Sequence, residues 1–187
     1  MSRGRPRRRK EVQGYSLVLV AFGIALSLSI AAVFIPTFLR EVRLSHTTEA
    51  AEMLQLMHLG AAAYYATPQL VDGAEQRHCL PLRAGPAPRE PRQTARSYDF
   101  FDEETPDVAT WRVLTFRSER TVRYSYAFSP AEAGCDLRAP DGTYLVSYRA
   151  EGDLDGDGVR SLFERRDTSE NGALVPLGIL FERDRVE

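Results

Sequence analysis

The 187-residue chain holds only two cysteines, three histidines and one tryptophan, and that scarcity limits its chemistry. His46 and His58 fall at a spacing that does not build a metal or catalytic site, and His78 stands alone. His78 is next to Cys79, but adjacent side chains usually point apart, so neither Cys79 nor Cys135 gains an evident activating base. No G-x-S-x-G, H-E-x-x-H or phosphate-loop pattern occurs, and there is no internal repeat. These absences argue against an enzyme, and the histidines read as surface or buffering groups.

Charge is missing from one long stretch. Tyr15 to Leu39 contains no Asp, Glu, Lys or Arg. As a helix those 25 residues would extend about 37 Å, more than the roughly 30 Å hydrocarbon core of a bilayer. A cleaved export signal would have a shorter apolar region of about 7–15 residues and a small-residue end. Here the apolar run passes without a break into a polar helical pattern, which favours a retained membrane helix.

The overall charge of −2 hides an asymmetry. Residues 1–14 carry Arg3, Arg5, Arg7, Arg8, Arg9 and Lys10 against Glu11 alone, leaving 18 basic and 25 acidic residues in the remainder, a net of −7. An acidic body argues against a nucleic-acid partner. A basic prefix before an apolar helix is held on the cytoplasmic side, so the rest of the chain should face outward.

The junction resembles the processing site of type IV prepilins and type II secretion pseudopilins. Arg7-Arg8-Arg9-Lys10 leads to Gly14, then Tyr15-Ser16-Leu17 opens the apolar run, and Pro36 falls about two-thirds of the way along it. The resemblance implies cleavage after Gly14 by a prepilin peptidase and methylation of the new amine on Tyr15. It also implies a pilin-like α+β fold, with one long N-terminal helix packed on a small antiparallel sheet. Leu19 stands where the family usually has a Glu that pairs with a neighbour's terminal amine. A buried ammonium without that partner is costly, which points to a minor or tip subunit rather than a repeating one.

The helix is expected to run from about Ser16 to Ala66, its second half amphipathic, with Pro68 as the stop. This divides the chain into a leader at 1–14, a transmembrane segment at 15–39, an amphipathic continuation at 40–67 and an outer β-rich domain at 68–187. Thr67 to Ser97 reads as an irregular connection. Strands are expected at Trp111–Phe116, at Thr121–Phe128 and at Thr143–Arg149, the last after an Asp141-Gly142 turn signal. In the second of these, Val122, Tyr124, Tyr126 and Phe128 share one face and read as core. The run from Leu174 to Phe181 reads either as a final strand interrupted at Pro176 or as a partner-binding tail.

Two cysteines in an exported domain are expected to pair as Cys79–Cys135, the alternative being two free thiols. Asp153 to Glu164 fits the calcium-loop pattern D-x-[DN]-x-[DN]-G-x5-E in full. Asp153, Asp155 and Asp157 would supply carboxylates, Val159 its carbonyl and Glu164 two closing oxygens, with Ser161 holding a water. The resemblance is to the loop alone, because a strand precedes it and Arg160 stands where an apolar residue is usual. A solvated acidic turn without an ion is the alternative.

The expected function is therefore a structural pilin-like subunit of a type IV pilus or type II secretion filament, with a calcium-stabilised C-terminal loop. Its partners would be other pilin-like subunits, the prepilin peptidase and the inner membrane. It would cross that membrane once with its domain in the periplasm, or outside the cell if assembled. The alternative is a single-pass protein that does not assemble and whose exported domain binds calcium or a partner.

Overall fold

A computed structural model of the protein describes residues 17–140 and 142–184. The expected cleavage site at Gly14 and Tyr15 lies outside the described residues, as does Asp141 of the expected turn. The chain divides into two compact units, one ending at Arg40 and one beginning at Glu41.

Helix α1 is continuous from Leu17 to Ala66 and contains Pro36. Apolar side chains such as Leu19, Phe22, Ile30, Phe34 and Phe38 on its first half are solvent-facing. Its most apolar window has a mean hydropathy of 2.7, and it is long and apolar enough to cross a membrane. A helix that is apolar all round needs a nonaqueous surrounding. In the second half the pattern changes. Thr47, Ala50, Leu54, Met57, His58, Ala61 and Tyr65 are buried, and their spacing of three and four places them on one stripe. Pro68, two residues past the last helical turn, cannot continue the ladder.

The β structure is antiparallel throughout. Strands β1 (Gln69–Val71) and β2 (Ala74–Gln76) form a hairpin. Asp72 and Gly73 at its tip both have positive φ, 50° and 82°, as the favoured two-residue hairpin turn requires. This hairpin lies where an irregular connection was expected. The main sheet comprises β3 (Ala84–Ala87), β4 (Ser125–Pro130), β5 (Val146–Gly152), β6 (Ser161–Glu170), β7 (Ala173–Pro176) and β8 (Phe181–Arg183). They run in the order β3-β4-β5-β6-β7, with β8 also pairing β6. The C-terminal run thus forms two short strands on one neighbour, with the intervening Ile179 side chain 93% exposed.

The expected strand at Trp111–Phe116 is instead the end of a short helix, α2 (Val108–Val113), followed by a turn. The packing of its aromatic residues explains the difference. Trp111, Leu114 and Phe116 are all buried while Val113 is 41% exposed, which no strict alternation would give. Trp111 and Phe116 pack with Phe100 at centroid distances of 5.6 and 4.8 Å, and the Trp111 indole donates to the Pro106 carbonyl at 2.9 Å. Tertiary contacts of this size override the weak strand preference of W-R-V-L-T-F.

The core lies between the second half of α1 and one face of the sheet. Tyr126, Ala150 and Phe163 are register neighbours across β4, β5 and β6, as are Phe128 and Tyr148, and all are buried with Val122 and Tyr124. The fold is α+β, a long N-terminal helix with antiparallel sheet.

Candidate functional site

The loop from β5 to β6 brings Asp153, Asp155 and Asp157 together, with one carboxylate oxygen of each lying within 4.8 Å of the others. The clustering has a local cause. Each side chain accepts a backbone N–H slightly further along: Asp153 from Gly156 at 2.7 Å, Asp155 from Asp157 at 3.3 Å, and Asp157 from Val159 at 2.7 Å. Such side-chain turns are characteristic of aspartate. Gly156 and Gly158 have φ of 78° and 91°, which lets the chain reverse tightly. Three carboxylates this close repel one another, and their hard oxygen chemistry suits a divalent cation such as calcium.

The rest of the expected ligand set is placed differently. Val159 ends the loop, tied back to Asp157. Ser161 is fully buried, its hydroxyl aimed at the Gly152 carbonyl at 3.3 Å. Glu164 is on β6, opposite Arg149. Its carboxylate is 3.3 Å from Arg149 Nε and 3.0 Å from Arg166 Nη2, and this engagement holds the Arg166 guanidinium pKa above its ordinary value. The physical reason is the exit geometry. A strand advances about 3.3 Å per residue and a helix about 1.5 Å, so leaving the loop as β6 carries Glu164 away from the aspartates. The residues present fit a three-carboxylate site, with Glu164 committed elsewhere.

A second cluster was not legible in the sequence. His58 of α1 is buried rather than at the surface, and its Nδ1 lies 2.6 Å from Asp167 Oδ2 on β6. The same oxygen accepts the Tyr148 hydroxyl at 2.7 Å, and Arg165 Nε lies 3.4 Å from the other. Arg165 also reaches Gln55 of α1. Burial and the Asp167 charge push the Tyr148 pKa well above its ordinary value. At the other end of the core Glu49 of α1 accepts the Arg123 N–H at 2.8 Å and the Tyr126 hydroxyl at 3.0 Å. Burial, then Glu49, raise the Tyr124 and Tyr126 pKa values. His46 nearby is held below its usual pKa by burial first, then by Arg123. These networks pin helix to sheet.

Cys79 and Cys135 are joined in a disulfide. Backbone pairing between Leu80 and Gly134 flanks it.

No protein family, curated protein or solved structure matches this chain.

Proposed function

We propose that the chain is a pilin-like subunit, of the minor or tip kind, in a type IV pilus or type II secretion filament. The observation that carries this reading is α1: one helix, apolar on all sides from Leu17 to Leu39 and one-faced from Thr47 to Tyr65. It begins just past Gly14-Tyr15-Ser16. An anchor alone needs only the first half. The second half of the helix goes further and lends its buried stripe to the core of the folded domain. Prepilin peptidase, other pilin-like subunits and the inner membrane are the partners this reading implies, with the domain in the periplasm. No catalytic activity is assigned, and the aspartate loop supports calcium in a structural role. The test is mass spectrometry of the full chain from the membrane fraction, where an N-terminus at methylated Tyr15 is expected. An intact N-terminus would overturn the processing on which the reading depends.

Leu19 favours a second reading, a single-pass protein that does not assemble. Its apolar side chain offers no charge to a neighbouring subunit's amine. Site-directed cross-linking in membranes separates the two readings, since an assembling subunit gives adducts with other processed subunits.

A further inference from the structure

A pocket of about 480 Å³ lies beside the disulfide, at the C-terminal end of α1 and next to the β6–β7 turn. Tyr65, His78, Arg138, Ser169 and Asn171 supply its polar groups, and no carboxylate lines it. Among the described residues the Arg138 guanidinium has no hydrogen bond or ion pair, and it is near enough to act on the Tyr65 phenol. The His78 ring stacks on Tyr65 at a centroid distance of 5.0 Å. Its Nε2 faces the turn so closely that a Cβ on Gly172 would lie 2.9 Å away. Tyr65 is spent, donating to the Leu137 carbonyl at 2.5 Å, but the guanidinium, the imidazole and the Asn171 amide are not.

Among these residues His78 has φ of 53°, a backbone conformation that side chains other than glycine seldom adopt, whereas Asn171, at 51°, opens the two-residue Asn171-Gly172 turn between β6 and β7, which requires it. Such conformations persist where the surroundings enforce them, and they gather at binding sites. Here the Cys79–Cys135 bridge and the bond from Leu137 N–H to the His78 carbonyl at 3.2 Å hold the segment.

We infer that this pocket binds a carboxylate group. One guanidinium offers a planar fork that matches a carboxylate's two oxygens. The imidazole and the amide add further hydrogen-bond donors, and the faces of the two rings form an apolar wall. A dianionic phosphate would call for more positive charge than a single arginine. The group could belong to a free small acid or to the C-terminus of a peptide, and the chemistry recognised is the same.

The experiment uses the full chain in detergent micelles and follows the His78 imidazole resonances by NMR, assigned with His78→Gln. Acetate, a Gly-Gly-Gly peptide and its C-terminal amide are titrated in turn. A saturable shift is expected with acetate or the free peptide, with binding weakened about tenfold or more in Arg138→Gln at an unchanged melting temperature. Tighter binding of the peptide than of acetate, with none of the amide, identifies a peptide terminus as the source. Equal binding of acetate and free peptide identifies a free acid. A shift that never saturates, or one unchanged in Arg138→Gln, overturns the site.

Discussion

His58 and Asp167 are 109 positions apart in the chain and 2.6 Å apart in the fold. Asp167 is fully buried, and its two oxygens take His58, Tyr148 and Arg165. Asp167→Ala therefore leaves three polar partners short of an acceptor. Breaking a buried, hydrogen-bonded charge in this way costs about 3–5 kcal/mol. Urea unfolding of the full chain in detergent should show the midpoint fall accordingly. A loss below about 1 kcal/mol would mean that the cluster does not hold helix to sheet.

At Gly60, α1 comes close to the backbone just after α2. A Cβ there would lie 2.0 Å from the Leu114 carbonyl oxygen, a backbone atom with no rotamer to yield. Helix propensity alone makes Gly60→Ala stabilising by about 1 kcal/mol. The overlap reverses the sign, because α1 or residue 114 must shift within a packed core, at about 1–3 kcal/mol. The variant is expected to melt below the parent, and an equal or higher melting temperature contradicts the close approach.

Calcium should raise the melting temperature of the parent and leave Asp155→Ala unmoved. Glu164→Gln separates loop from strand. Because Glu164 is engaged by Arg149 and Arg166, the variant should lose stability without calcium yet keep the calcium-dependent rise. If Glu164→Gln instead abolished that rise, Glu164 would be a ligand after all and the exit strand would have to rearrange on binding.

Alkaline pH should unfold the domain. Tyr124, Tyr126 and Tyr148 have folded pKa values raised by burial. Below about pH 10, the ordinary tyrosine value, folded and unfolded states are both protonated, and the stability these groups contribute is fully present. Above it the unfolded chain releases protons that the folded chain keeps, so stability falls by up to about 1.4 kcal/mol per pH unit for each tyrosine. Melting curves between pH 8 and 11.5, with tyrosinate absorbance followed alongside, check this. A melting temperature flat across pH 10–11 would contradict the burial.

Much of the architecture was legible because it rests on local patterns. The α1 stripe follows the 3.6-residue period, Pro68 marks its end, and Tyr126 and Phe128 share the buried face of β4, although that strand begins at Ser125 and leaves Val122 and Tyr124, both buried, ahead of it. The β1–β2 hairpin was also legible in Asp72-Gly73, but the proline- and arginine-rich surroundings obscured it. At Trp111 the local pattern misled, since its aromatic residues answer to Phe100 and not to strand neighbours. Glu164 shows a related limit. The calcium-loop spacing fixes how many residues separate it from Asp153, but its position in space depends on whether helix or strand comes next.

By itself the sequence determined the long helix, the change in its character near residue 40 and the apolar face of β4, because each depends on side chains within a few residues of one another. Only the tertiary structure decided the His58–Asp167 contact, the commitment of Glu164 to two arginines and the pocket around His78. Each joins residues from different elements, and the register of β5 on β6 and the seating of α1 on the sheet set those meetings. Both depend on the whole core closing at once.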